Sequence, residues 1–284
     1  HQAHPFITIW DDHEIANNAY VDGAQNHQEN EGSYQIRREA AKKAYYEWMP
    51  IRKSKSLYRK FSFGELADIY MLDERLAGRT SPVEAIDDPA INDTTRSMLG
   101  EEQLSWLQNE LANSPANWKI IGNQVIFSYL NWALPNWKIN MDSWDGYPHE
   151  RNQIKQTIVQ NNLQNVVFVS GDTHTAYAFE VTDNPFVDYD SSTAEGAFAV
   201  ELGTTSINSG NLNEDMPTDS VLLHEQLMTN SMLNPHLKYS NMRDHGYLLL
   251  QMSPQEIIAE WHCVATNEKS SQEEFIDKTI VVTS

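Results

Sequence analysis

Short apolar runs that stop abruptly in polar residues recur along this chain. Pro5–Trp10 (PFITIW) is apolar and β-branched and ends in Asp11-Asp12-His13-Glu14. Asn165–Ser170 (NVVFVS) has the same form and ends in Gly171-Asp172-Thr173-His174. Trp118–Phe127 is a third such run, interrupted by Gly122-Asn123-Gln124. Runs of this length predict buried strands. Further strands are expected at Ala197–Leu202, Tyr247–Met252 and Ile257–Val264, the last two paired as a hairpin through Ser253-Pro254. Leu57–Leu72 alternates in part and predicts two strands around Gly64. Helical spacing marks Tyr34–Trp48, with Ile36, Ala40, Ala44 and Trp48 on one stripe and Pro50 as the stop. It also marks Gly100–Leu111, with Leu104, Leu107 and Leu111 on one face, and Glu150–Gln160. Asn17–Gly32 is polar enough for a surface loop, and Gly78–Thr95 is turn-rich and irregular. Strands alternating with helices place the chain in the α/β or mixed class.

At 284 residues the chain makes one large domain or two small ones. With 40% hydrophobic and 21% charged residues, a wholly disordered chain is excluded. No run of 18 apolar residues exists, so no membrane span is expected. A formal charge of −20 argues against broad attraction to nucleic acid or an anionic lipid surface. An anionic substrate would need local help, such as a metal cation. The single cysteine, Cys263, makes no intrachain disulfide and reads as a small buried hydrophobe.

The chemistry sits where the three apolar runs end. Asp11-Asp12-His13-Glu14 offers carboxylates for a hard cation and an imidazole that can bind metal or donate a proton. The competing reading is a solvated turn opening a helix. In Gly171-Asp172-Thr173-His174, one turn can aim Asp172 and His174 at one or two ions; the alternative is an N-cap aspartate. Asn123 can offer a carbonyl oxygen to a metal, or Gly122 can simply mark a turn or bulge. Parallel strands bring such ends to one edge, which favours convergence on a metal over three unrelated caps. Ser128–Pro148, with Trp132, Trp137, Trp144 and Tyr147, is either a wall beside the site or a packed loop with its own core. Arg75 and Arg151 are each candidates to clamp a phosphate or to pair with a nearby aspartate. His236 and His245 fall in loop-like stretches and could border the cleft. No G-x-S-x-G elbow supports a serine hydrolase.

The WDDHE run at Trp10–Glu14 and the GDTH run at Gly171–His174 resemble those of PhoD-type alkaline phosphatases, within the calcineurin-like metallophosphoesterases. Tyr45–Arg52, Tyr58–Gly64, Leu72–Arg75 (LDER), Leu99–Leu107, Gly122–Val125 (GNQV) and Asp142–Pro148 (DSWDGYP) agree in order. The resemblance runs from His4 to about Trp261.

That resemblance implies a metallophosphoesterase-like β-sandwich flanked by helices, as a single domain over residues 1–284 that is truncated at its N-terminus. It implies hydrolysis of a small phosphomonoester by a metal-bound hydroxide at a binuclear centre. Asp12, Asn123, Asp172 and His174 would be metal ligands and His13 the general acid. Asp11 and Glu14 would orient His13 or touch substrate, with Trp144, Asp145, Tyr147 and Arg151 near it. Iron(III) paired with calcium is implied, ahead of zinc or manganese. Asp and Asn in place of histidine make one site oxygen-rich, as calcium prefers. A periplasmic or secreted location is implied too. The family's earlier motifs, with a bridging Asp and a Cys and Tyr on iron, precede the WDDHE run and are not in this sequence. A missing N-terminal segment carrying strands is therefore expected. The runners-up are a phosphodiesterase of phospholipase D-like activity and a catalytically incomplete metal-binding fragment.

Overall fold

A computed structural model describes residues 2–134, 138–230, 232–265 and 267–284. A seven-stranded sheet forms the centre. Its strands are β1 (Arg59–Phe63), β2 (Ala67–Met71), β3 (Trp118–Gly122), β4 (Val166–Ser170), β5 (Ala176–Thr182), β6 (Ala197–Gly203) and β7 (Leu237–Asn241). They lie in the order β1-β2-β3-β4-β6-β5-β7. β2, β3, β4 and β6 run parallel. β1 folds back antiparallel on β2, and β5 is antiparallel to both β6 and β7.

A second, antiparallel sheet follows: β8 (Gly246–Met252), β9 (Glu256–Val264) and β10 (Glu274–Thr283), with β9 in the middle. The expected hairpin between β8 and β9 is present. β9 alternates strictly between buried and half-buried positions, so Ile257, Ala259, Trp261 and Cys263 share its inner face. Trp118, Ile120, Val167, Ala178 and Leu202 of the large sheet pack against Ile257, Ala259 and Trp261. Cys263 is 2% exposed, and burial pushes its thiol up to about 12. The other face of the large sheet is covered by α2 (Glu101–Ala112) and α3 (Pro148–Gln160). Their Leu107, Leu111, Ile154 and Ile158 meet Tyr70, Ile121, Val166 and Phe168. The result is a mixed α/β sandwich with helices on one side, as the sequence suggests. No described helix is long and apolar enough to cross a membrane.

Three expectations fail in informative ways. Pro5–Trp10 is not a strand; it runs outside both sheets, with Phe6 exposed and Trp10 buried. Its backbone is met by side chains instead: Arg59 donates to Thr8 O, and Gln124 to Trp10 O. The Trp118–Phe127 run leaves the sheet at Gly122 because two buried carboxylates capture its amides. Glu74 accepts from Gln124 N and Val125 N, and Glu201 from Phe127 N and Ser128 N. α1 (Tyr34–Trp48) has the expected bounds but turns another face inward. Tyr34 and Tyr45 are buried, whereas Ile36 and Trp48 are 74% and 84% exposed. Tyr45 meets Trp10 edge-on with ring centroids 5.4 Å apart.

Candidate metal centre

The carboxyl ends of the four parallel strands share one edge, and each delivers a short polar segment there. After β2 comes Leu72-Asp73-Glu74-Arg75, a buried scaffold. Asp73 accepts from Trp10 Nε1 (2.9 Å) and from the amides of Arg75 and Leu76. Glu74 accepts from Trp144 Nε1 (2.8 Å) besides the two amides of the β3 end. Burial pushes Glu74 up to about 7, although these three donors pull it down. Gln124 Nε2 donates to Leu72 O and Trp10 O. Trp10 is therefore anchored from both sides, and Asp11-Asp12 enters the site without needing a strand before it.

Arg75 is the centre of this edge, with its side chain fully buried. Its Nε donates to Asp11 Oδ1 at 2.6 Å, Nη1 to Asp142 Oδ2 at 2.7 Å and Nη2 to Asp172 Oδ1 at 2.8 Å. Arg79, also buried, donates to Asp142 Oδ1 (2.6 Å) and Tyr147 OH (3.2 Å). Burial lowers the affinity of the Arg75 guanidinium for its proton, but the surrounding aspartates more than reverse this. Burial raises Asp172 far above the carboxylate range; Arg75 opposes this, and Asp11, Asp142 and Asp12 add to it. The site is short of positive charge.

Oxygen atoms of Asp11, Asp12 and Asp172 lie within 4.8 Å of one another. Asp12 is 4% exposed, and its Oδ2 accepts from Asn18 N at 2.7 Å. Asn123 follows the end of β3 next to that of β4: its N–H bonds to Val169 O, and the Gly171 N–H bonds to Gln124 O. It is 7% exposed, yet neither side-chain atom has a hydrogen-bond partner. A buried, unpartnered amide costs free energy unless a ligand satisfies it. With the charge imbalance, this donor set fits a hard cation.

No helix follows either motif, so the capping readings fall away. Residues 12–16 form a turn, with Ile15 N and Ala16 N both bonded to Asp12 O. Asp172 (φ +67°) and His174 (φ +58°) both adopt the left-handed backbone region that most side chains avoid, whereas Gly171 does not. His174 Nδ1 donates to Gly210 O at 2.8 Å, which leaves its Nε2 lone pair free in the neutral ring. His13 has a 75% exposed side chain, 3.8 Å from Asp12, and bonds through Nε2 to Asn17 Oδ1 at 3.0 Å. Neither Asp11 nor Glu14 orients it: Asp11 holds Arg75, and Glu14 accepts from Asp11 N.

Asp11, Asp12, His13, Glu14, Asp172 and His174 line one cleft of about 780 Å³. The Ser128–Pro148 aromatics divide. Trp132 lines the cleft, and Trp137 lies outside the described residues. Trp144 and Tyr147 are fully buried behind it. Trp144 packs on Phe127, and the Arg79 and Arg96 guanidinium groups lie 5.4 and 4.6 Å from the Tyr147 ring centroid. Asp145 is buried too and pairs with Arg151 at 2.7 Å, so that arginine is committed to its own helix start. His236 is fully buried against Tyr129 O and does not border the cleft. His245 contacts Ser206 on the cleft rim.

The pairing of Arg75 with aspartate is one of the two roles its sequence context suggests; that Asp142 shares it, and that residues 206–212 form the rim, is not marked by any local pattern. The buried polar positions in LDER and DSWDGYP are the nearest signal. A second cavity of about 620 Å³, at the amino ends of β4 and β6, is lined by residues such as Val159, Phe198 and Val281 and gathers no such carboxylates.

Residues 1–261 match the profile of the PhoD-like phosphatases. The chain belongs to that family. It is 34% identical over 281 residues to alkaline phosphatase D of Bacillus subtilis (strain 168), covering 92% of this chain and 44% of that protein. It superposes on a solved structure of PhoD with a TM-score of 0.84 at 29% identity, covering 98% of this chain and 53% of that one. The chain thus spans about half the length of the relatives it matches.

Proposed function

We propose that this chain carries the chemistry of a metal-dependent phosphoric-ester hydrolase, an alkaline phosphatase acting on small phosphomonoesters. The observation that carries the reading is the cluster of Asp11, Asp12 and Asp172, open to the same cleft as His13 and His174. Kinship with an alkaline phosphatase D supports it.

Asp11, Asp12, Asp172 and Asn123 would hold an ion with oxygen ligands, which favours calcium. His174, through Nε2, would serve a second ion such as iron(III). When bound, such ions supply Lewis-acid stabilisation of charge on the phosphoryl oxygens and an acidified water as nucleophile. The protein's own part is then positional. Arg75 fixes Asp11 and Asp172 relative to each other. The Gly210 carbonyl fixes the His174 ring. His13, exposed and only lightly held, is free to meet a leaving-group oxygen and give it a proton.

Hydrolysis of an aryl phosphate, abolished by chelation and restored by added metal, is the expected result. His13→Ala should lower turnover by about 10²–10⁴-fold while elemental analysis finds the same bound metal. Turnover indifferent to chelation would defeat the metal reading, and metal lost from the His13 variant would defeat the acid role.

A further inference from the structure

His174 is held by the segment that follows β6. Gly210 O accepts from its Nδ1 at 2.8 Å, and Thr205 Oγ1 lies 3.0 Å from its backbone carbonyl. Residues 207–210 are exposed, so this rim needs an anchor of its own. Ser206 provides it. Its Oγ donates to Ser209 O at 2.5 Å and lies 3.0 Å from Asn211 Oδ1 and 3.1 Å from His245 Nδ1. Gly246 N donates to Ser206 O at 2.9 Å, and Val264 N to His245 O at 2.8 Å, so the second sheet fixes the His245 backbone. On the other side of the ring, Nε2 is 3.5 Å from Glu214 Oε1. Glu214 also lies against Gly210, where a Cβ would stand 2.9 Å from its Oε2. The His245 side chain is 11% exposed and sits behind the rim. The single hydroxyl hydrogen of Ser206 goes to Ser209 O, the closest of its three neighbours, and a lone pair is left to accept from His245 Nδ1–H. Serine, histidine and glutamate are the residue types of a nucleophile triad, but a hydroxyl spent on a carbonyl has no hydrogen to give the imidazole.

We propose that His245 is a positioning residue for His174. It acts through Ser206 and Glu214, which together hold residues 206–210 so that the Gly210 carbonyl stays on His174 Nδ1. A ring with its hydrogen on Nδ1 keeps a lone pair on Nε2, the state that a metal ligand requires. The catalytic importance of this rests on the metal reading above. His245 itself touches neither metal nor substrate; its effect is read at the far nitrogen of another histidine.

The test is the tautomer of His174 in the metal-free chain, read from long-range proton–nitrogen NMR correlations at about pH 8.5, well above the ordinary histidine value. His174→Gln assigns the signals by their loss. In the wild type the hydrogen should sit on Nδ1. His245→Leu and Ser206→Ala should shift it toward Nε2. They should also weaken zinc binding, measured by calorimetry, by about tenfold or more. Zinc is the probe because imidazole suits it. His245→Asn keeps an N–H donor where Nδ1 stood, and should retain the tautomer and most of the affinity. A histidine that merely supports the fold would give Leu and Asn variants that lose melting temperature alike and leave the tautomer unmoved. That result would overturn the proposal without touching the metal reading. So would a wild-type His174 protonated on Nε2, or a folded Leu or Ala variant with the wild-type tautomer. If the Leu variant does not fold, Ser206→Ala decides. Tautomers that shift as expected while no form binds zinc would support the positioning role and defeat the metal reading.

Discussion

Between the two sheets, Trp118, Ile257, Ala259 and Trp261 are buried among apolar neighbours. At the carboxyl edge of the parallel strands, Asp12, Glu74, Arg75 and Asp142 are buried as deeply, but among charges. The first kind of burial stabilises in proportion to apolar area, at about 25 cal/mol per Å². The second removes ions from water, and pairing recovers that cost only where the geometry is good. At Arg75 the geometry is good. Around Asp12 and Asp172 carboxylates outnumber their partners, and past the end of β3 the Asn123 amide has none. The sandwich core thus carries stability, and the strand edge holds a set of groups that would suit a bound cation better than water or each other.

The comparison breaks if the core also tunes the site. Trp261 is 1% exposed, packs on Tyr239 and donates Nε1 to Gly203 O. Trp261→Ala should cost about 3–5 kcal/mol in urea unfolding. Calcium affinity of the folded fraction should be unchanged. A parallel loss of affinity would mean that the sheet-to-sheet packing sets the carboxylate positions through Gly203 at the end of β6.

The edge should answer in the opposite way. Asp12 lies in the cluster but makes no bond to Arg75, and asparagine can still accept from the Asn18 amide. Asp12→Asn therefore relieves repulsion without orphaning a donor. Metal-free Asp12→Asn should melt no lower than wild type, and up to about 2–4 °C higher for a chain of this size. The rise in melting temperature that calcium gives the wild type should largely disappear. A variant that melts well below wild type without metal would show that Asp12 is structural.

The two regions also differ in how legible they are in the sequence. The alternation along β9 and the apolar run of β4 are local patterns, and they give the strands, their hairpin and the inward Cys263 directly. The motifs at Asp11–Glu14 and Gly171–His174 are local as well, and the structure lines one cleft with both. What holds them together is not local. Arg75 is 64 residues from Asp11, 67 from Asp142 and 97 from Asp172. No periodicity reports a contact of that range. Trp144 and Tyr147 misled for a related reason: aromatic residues near a polar motif suggest a wall, while their indole and phenol groups serve buried Glu74 and Arg79. Pro5–Trp10 misled because a short apolar run cannot be told from a strand without knowing whether a free strand edge lies beside it.

The smallest expected effect bears on α1, whose i, i+4 stripe does not mark its inner face. The i, i+4 stripe of α1 joins Ile36 and Trp48 through two alanines, and alanine is at home on either side of a helix. Tyr34 and Tyr45, eleven residues and about three turns apart, face inward instead, against His27 and Trp10. Trp48 projects at the last turn, 84% exposed, with no ring partner among the described residues. Trp48→Ser should change unfolding stability by less than about 0.5 kcal/mol. Tyr45→Ala, on the buried face and against Trp10, should cost about 3 kcal/mol or more. It should also weaken calcium binding, because Trp10 immediately precedes Asp11. If the order of the two variants were reversed, the inward face of α1 would be the one marked by Ile36 and Trp48, and the anchoring of the Asp11-Asp12 turn by Tyr45 and Trp10 would fail with it.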